Sequence, residues 1–299
     1  MELNHIACAP GRLSHILKAE MHISTGLMNR LKWQDRILVN GQSQHTDFAV
    51  QAGDTVTLLL DAPEPDYPAE DGPLTVLYED DFLLAVDKPA GILIHPSRAA
   101  VTGTLANRVQ GYYAKTGQHC AFHPVTRLDR DTFGIVLAAK NPHIHARMNE
   151  LHAAGAMEKR YHAWVYGGPA ETAGVIDAPI ARKPLPSLLR EIRPDGKPSR
   201  TEFALLERRG QVSKLDLRPV TGRTHQLRLH CGYAGFPILG DPQYGSAESQ
   251  TFSAALGLTG QVLCAYELVF PHPVTGEMLR LFSKMDPADP TGTKNDEEI

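Results

Sequence analysis

The sequence has little cysteine, and what it has is scattered. Cys8, Cys120, Cys231 and Cys264 are the only four in 299 residues, and none forms a C-x-x-C pair. That spacing offers neither a thiolate zinc site nor a disulfide framework and points to reduced, packed thiols. Long apolar runs are missing too, and the N-terminus lacks a basic segment followed by an apolar stretch. The cytoplasm is therefore the default location, with no membrane partner. Net charge is only -4, so no global basic field advertises a polyanion, and any RNA contact must use local patches. The phosphate-cradling G-x-x-x-x-G-K-[ST] loop, the G-x-G-x-x-G fingerprint and the G-x-S-x-G elbow are all absent. There are 14 histidines, but His225 and His230 miss the i, i+4 ligand spacing. His143 and His145 point to different sides of a predicted helix. No catalytic metal is expected.

What is present suits a globular protein: 42% hydrophobic and 21% charged residues, in a length that fits one medium domain with a small companion. Leu13, Ile16 and Leu17 share one helical face, and Ser24 can cap a second helix carrying Leu27, Met28 and Leu31. A strand over 36–39, an Asn40-Gly41 turn and a strand over 55–60 complete a module spanning residues 1–61. Arg12, Arg30, Lys32 and Arg36 are its candidate RNA contacts, although basic helix faces are often merely solvated. Residues 62–73, rich in proline and acid, read as a linker. A larger domain covers 74–286, followed by a polar, acidic tail over 287–299 that is expected to be disordered.

Within the larger domain, the stretch Ala121–Lys140 (AFHPVTRLDRDTFGIVLAAK) sets the frame. Asp129 stands between Arg127 and Arg130 on a loop that feeds an apolar run, Ile135–Ala139, read as a buried strand. Nearby opposite charges favour the carboxylate anion, which is either a structural ion pair or a reactive group. Asn141-Pro142 should start a helix that ends near Gly155. The following strand, 159–165, alternates and places Tyr161, Ala163 and Val165 on one face. Residues 181–200 carry Arg182, Lys183, Arg190 and Arg193 in a long basic loop or hairpin. A helix is expected from Thr221-Gly222-Arg223 onward, with His225 and Arg228 on neighbouring positions of one face. One carboxylate, several arginines and a tyrosine on a strand admit covalent attack, phosphate gripping and base stacking. A paired-carboxylate glycosidase would need a second acid, and Asp131 is too close in the chain to converge on the same bond.

Four segments in order carry a resemblance: VDKPAGILIHPS at 86–97, HPVTRLDRDTFGIVLAAKN at 123–141, KRYHAWVYG at 159–167 and RPVTGRTHQLRLHCGYAGFPILGDPQYG at 218–245. Over roughly residues 74–285 the chain resembles an RluA-type pseudouridine synthase. Residues 10–60 resemble the small RNA-binding domain named after ribosomal small-subunit protein four. The resemblance implies an α+β pseudouridine synthase fold with a large mixed, mainly antiparallel sheet and a central RNA-binding cleft, preceded by a small αα-β RNA-binding domain. It implies conversion of uridine to pseudouridine with no cofactor and no metal.

By the same resemblance, Asp129 matches the catalytic aspartate and Arg127 the arginine that fills the place of a flipped nucleotide. Tyr161 matches the active-site tyrosine, and Arg228 the basic residue that pairs with the aspartate. Arg182, Lys183, Arg190 and Arg193 fall where the family grips RNA. Large-subunit ribosomal RNA is the first candidate substrate and transfer RNA the second; a monomer is the default. Thr126 and Phe133 depart from the family pattern, which has histidine and serine there. A non-catalytic RNA-binding or assembly factor is the competing class, and intact Asp129, Tyr161 and Arg228 argue against it.

Overall fold

The structure, a computed structural model, describes residues 1–61, 67–97, 101–187 and 189–291. The first 61 residues form β1 (Glu2–Ile6), β2 (Gly11–Arg12), α1 (Leu13–Ala19), α2 (Thr25–Trp33), β3 (Ile37–Val39), β4 (Gln42–Ser43), β5 (Ala49–Val50) and β6 (Thr55–Leu59). Both helices begin where the apolar spacing places them, and the Ser24 side chain accepts from Leu27 N at 3.2 Å. Asn40 and Gly41 both take positive φ, 48° and 80°, the twist that a two-residue hairpin between β3 and β4 requires. Strand β1 has no counterpart in the sequence expectations. It pairs antiparallel with β6 along five positions but buries only Leu3, so it carries no alternation that would mark it. The module has its own core, including Leu13, Leu17, Leu31, Val56 and Leu58, against which Phe82 and Val274 of the larger domain also pack.

Of the expected linker, residues 62–66 lie outside the described residues. The larger domain opens with the hairpin β7 (Thr75–Glu79) and β8 (Leu83–Lys88), then α3 (Leu105–Lys115), β9 (His123–Pro124), β10 (Phe133–Ala139) and α4 (Pro142–Ala153). It continues through β11 (Glu158–Tyr166), β12 (Ala173–Asp177), β13 (Ile180–Arg182), β14 (Arg190–Ile192), β15 (Arg200–Arg209) and β16 (Val212–Pro219). The last elements are α5 (Gln226–Tyr233), α6 (Ala247–Ala255), β17 (Leu263–Pro271) and β18 (Met278–Phe282). Among the described residues one sheet runs β12-β15-β16-β11-β17-β10-β8-β7, with β18 on β17 and β9 on β10. Of its pairings among those residues only β10–β17 is parallel, so the sheet is mixed and mainly antiparallel.

Strand β10 is apolar throughout because both of its faces are covered. Ile135, Leu137 and Ala139 pack with Ile144 and Met148 of α4, whereas Val136 and Ala138 pack with Leu105, Val109 and Tyr113 of α3. Helix α4 starts as expected: the Asn141 side chain accepts from Ile144 N at 2.9 Å, with proline next in the chain. At the mouth of β10, Gly134 has φ +103° and a Cβ there would lie 2.4 Å from Ala265 O. Only glycine allows the loop to enter the sheet that close to β17.

Three expectations are refined. The basic stretch is a hairpin, with Ile180 opposite Ile192 and Arg182 opposite Arg190. Helix α5 begins at Gln226 rather than at Thr221, because His225 sits in the left-handed region at φ 58° and breaks the helical path. Helix α6 adds an element that the sequence does not announce, since AESQTFSAA is small and polar with no apolar stripe. The acidic tail starts against the sheet: Trp164 Nε1 donates to Pro287 O at 3.1 Å and Arg209 pairs with Asp289 at 2.9 Å. Residues 292–299 lie outside the described residues.

Candidate active site

The loop between β9 and β10 carries Asp129 and is fixed at its start, middle and end. At its start, Val125 N and Thr126 N both donate to Leu137 O, at 2.8 and 3.2 Å. The Thr126 hydroxyl in turn accepts from Leu137 N at 2.9 Å. Thr126 is buried, so this departure from the family pattern serves the backbone. In the middle, the ammonium of fully buried Lys88 donates to Pro89 O, Ile92 O and Arg130 O at 2.9, 2.9 and 2.8 Å. Burial pushes the Lys88 pKa down to about 8, against the pull of Asp131 and Asp129. At the end, Thr132 Oγ1 accepts from Gln261 Nε2 at 3.1 Å, and Phe133 enters β10 opposite Cys264. Lys88 is absent from the sequence-derived candidates. Its signal there is a lone cation closing the apolar strand 82–86.

The guanidinium that meets Asp129 belongs to neither arginine beside it in sequence. Arg130 turns to Asp131 at 3.1 Å with its side chain largely in solvent. Arg127 is exposed and has no hydrogen bond or ion pair among the described residues. Instead Arg228 NH1, from α5, donates to Asp129 Oδ2 at 3.0 Å. Arg228 is itself clamped: its Nε and NH2 donate to Asp241 at 2.7 and 2.8 Å, and NH2 also to Gln243 at 2.9 Å. The Tyr244 ring lies 5.3 Å from the guanidinium centre. Asp241 is buried and Asp129 keeps 30% of its side-chain surface exposed, so only one of the two carboxylates faces the cleft.

Tyr161 stands on β11 opposite Ala265, where the pairing with β17 shifts register. Gly134 also faces Ala265, so Gly134, Ala265 and Tyr161 form one row across three strands. Burial pushes the Tyr161 hydroxyl pKa up, and the Asp129 charge adds to it, which keeps the phenol protonated. Helical spacing places His225 beside Arg228, and the structure gives the histidine a different route to the same point. Its Nε2 lies 3.9 Å from Asp129 Oδ2, and its Nδ1 lies 2.9 Å from the Tyr244 hydroxyl. Burial pushes the His225 pKa down, with Arg228 and Arg190 acting in the same direction.

Two of the hairpin cations, Lys183 and Arg190, line an open cavity of about 250 Å³ together with Tyr233, Gln243 and Tyr244. Arg182 is exposed and faces Arg190 across the hairpin. Arg193 is engaged elsewhere: it pairs with Asp195 at 3.0 Å and with Glu191 at 3.4 Å. In the N-terminal module Arg12 and Arg30 are exposed, Arg36 is paired with Asp61, and Lys32 lies 5.4 Å from the centre of the Trp33 ring. Trp33 is 82% exposed. His5, Cys8 and Glu20 bring their donor atoms within 4.8 Å of one another in that module, a grouping not visible from spacing. His5 and Glu20 already satisfy each other at 2.6 Å. No helix among the described residues is long and apolar enough to cross a membrane.

A family profile described as RNA pseudouridylate synthase matches residues 82–233. The chain is 34% identical over 271 residues to the uncharacterized RNA pseudouridine synthase YjbO of Bacillus subtilis (strain 168), covering 89% of this chain and 93% of that one. It is 36% identical over 251 residues to ribosomal large subunit pseudouridine synthase D of Xanthomonas campestris pv. campestris, covering 81% and 76%. Among solved structures it is similar to human RNA pseudouridylate synthase domain containing 1, with a TM-score of 0.62, 26% identity, and coverage of 75% of this chain and 88% of that one. With the four sequence segments converging on one cleft, these likenesses show that the chain belongs to the RNA pseudouridylate synthase family, as an RNA pseudouridine synthase of the RluA type.

Proposed function

We propose that the enzyme isomerises specific uridines of large-subunit ribosomal RNA, with Asp129 as the nucleophile. The observation that carries this reading is the Asp129–Arg228 contact at 3.0 Å beneath a partly open cleft, with Tyr161 on β11, across β17 from the strand that the Asp129 loop enters. RNA lies along the basic hairpin, and the target uridine leaves its stack and enters the cleft. Unstacking costs on the order of a few kcal/mol. Arg127, exposed and without a partner among the described residues, offsets part of that by filling the vacated place.

Asp129 attacks the ribose carbon that bears the base, and the glycosidic bond breaks with its electrons leaving on the uracil nitrogen. The freed uracil turns and its carbon 5 displaces the aspartate. The proton on that carbon then departs, with Tyr161 placed to serve proton transfer. The second route within the same reading has Asp129 take a ribose proton and eliminate the base. The N-terminal module, by its resemblance to the small ribosomal-protein-four-type domain, supplies further RNA contacts through Arg12, Arg30 and Lys32, with the exposed Trp33 beside them.

A relative carrying the name ribosomal large subunit pseudouridine synthase D supports ribosomal over transfer RNA. Carbodiimide-dependent primer extension on RNA from cells with and without the gene tests the substrate. Loss of a stop in large-subunit RNA is expected, and loss confined to transfer RNA would replace the substrate assignment.

A further inference from the structure

His225 is an odd residue to find at the start of a helix. It occupies the left-handed region at φ 58°, a conformation that costs a side chain about 1 kcal/mol or more. Its ring does not cap α5 in return. The ring is turned toward the cleft, with one nitrogen on each side of a short chain of contacts. Nε2 faces Asp129 Oδ2 at 3.9 Å, and Nδ1 faces the Tyr244 hydroxyl at 2.9 Å. The Tyr244 oxygen also accepts the backbone N–H of Arg190, on β14, at 2.9 Å.

That last bond decides the direction of the others. A backbone N–H can only donate, so the Tyr244 oxygen is an acceptor toward β14. Its own proton then has His225 Nδ1 as its acceptor. With Nδ1 accepting, the neutral imidazole carries its proton on Nε2, aimed at Asp129. The opposite tautomer would leave the phenol proton with no protein acceptor among the described residues and set a nitrogen lone pair against a carboxylate. The charged groups around the ring are Asp129, Asp241, Arg228 and Arg190.

We infer that His225 is a positioning residue for Asp129, held as its Nε2–H tautomer by Tyr244, and that the basic hairpin sets this tautomer through the Arg190 amide. The inference rests on Asp129 carrying the reaction. Arg228 supplies Asp129 with one donor, and His225 supplies a second that closes from 3.9 Å to hydrogen-bond distance when RNA fills the cleft, as catalytic contacts commonly tighten in complexes. Engagement of RNA by the hairpin and the orientation of the reactive carboxylate are thus joined by two hydrogen bonds that lead to His225 and by the closing His225–Asp129 contact.

The test is single-turnover tritium release from ribosomal RNA labelled at uridine carbon 5, with filter binding in parallel. A glutamine amide nitrogen can stand in for Nε2 and an asparagine one for Nδ1. His225→Gln should therefore stay within about threefold of the parent, whereas His225→Asn should lose roughly tenfold or more, about 1.4 kcal/mol in the barrier, at unchanged RNA affinity. Tyr244→Phe should slow the parent but not His225→Gln, which has no tautomer to hold. Equal losses for the two His225 variants, or an undiminished Tyr244→Phe loss in the His225→Gln background, would overturn the inference. Nitrogen-15 spectra of the free enzyme at neutral pH provide a readout independent of turnover: an Nε2–H imidazole is expected at His225, and an Nδ1–H form or an imidazolium would also overturn it. Full turnover by Asp129→Asn would instead remove the reading on which the inference rests.

Discussion

Arg228 meets Asp129 with a single nitrogen because Asp241 holds the other edge of its guanidinium. NH1 donates to Asp129 at 3.0 Å, whereas Nε and NH2 are forked onto Asp241 at 2.7 and 2.8 Å. A free arginine would grip a lone carboxylate with two parallel bonds and dampen it as a nucleophile. Clamped by Asp241, Arg228 orients Asp129 and leaves its second oxygen without a hydrogen bond among the described residues.

Asp241→Asn should therefore damage both stability and turnover. Neutralising one member of a buried pair leaves the other under-compensated, at a cost of about 3 kcal/mol. Urea unfolding should show that loss, and kcat should fall as Arg228 swings to fork Asp129. A variant with parental stability and rate would refute the clamp.

Arg127→Ala tests the wedge. Its side chain is exposed and makes no ion pair among the described residues, so the fold should not notice the change. Turnover should fall more on structured ribosomal RNA than on an unstructured oligonucleotide, where no stack has to be refilled. Equal losses on the two substrates would contradict this role.

The hairpin cations differ in availability. Arg182 and Lys183 are open to a ligand, whereas Arg193 is tied to Asp195 and Glu191. Replacing Arg182 and Lys183 together by glutamine should weaken RNA binding. The slope of log affinity against log salt should shrink by about one for every phosphate the two cations neutralise. Arg193→Gln should change the slope far less. The reverse ranking would place RNA elsewhere.

Lys88 gives a pH signature with two opposite signs. Its folded-state pKa of about 8 lies below the ordinary 10.5. Between those values the unfolded chain holds a proton that the folded one has shed, so protons bound unfolded minus folded is positive: the stability cost of burying this group is full below about 8 and is relieved as pH rises toward 10.5. The ammonium it loses is what holds three loop carbonyls, so turnover should decline as pH passes about 8 while the melting temperature shows no matching loss from this group. Initial rates and melting curves across that range check it. A flat rate profile would contradict the anchoring role.

Much of this was legible in the chain because local chemistry agreed with the fold. The apolar run 135–139, the Asn141-Pro142 helix start and the Asn40-Gly41 turn all appear where expected. Asp129, Arg228 and Tyr161 stand out through motif order, and the structure brings them to one cleft. What the sequence concealed is long-range. The partner of Asp129 lies 99 residues away, while its sequence neighbour Arg130 points off to Asp131. Asp241, Lys88 and the Tyr244–His225 contact have no periodic signal, because each acts through a single side chain reaching across the fold. Spacing alone starts helix α5 too early, because nothing in T-G-R-T-H announces that the histidine, rather than the glycine, takes the positive φ.

Asp129→Asn is the most direct measurement. The change keeps the side-chain shape, and Arg228 remains anchored on Asp241, so circular dichroism and RNA affinity should match the parent. Tritium release from ribosomal RNA labelled at uridine carbon 5 should fall to background. Substantial release by a folded, RNA-binding Asp129→Asn enzyme would contradict the assignment of Asp129 as the nucleophile.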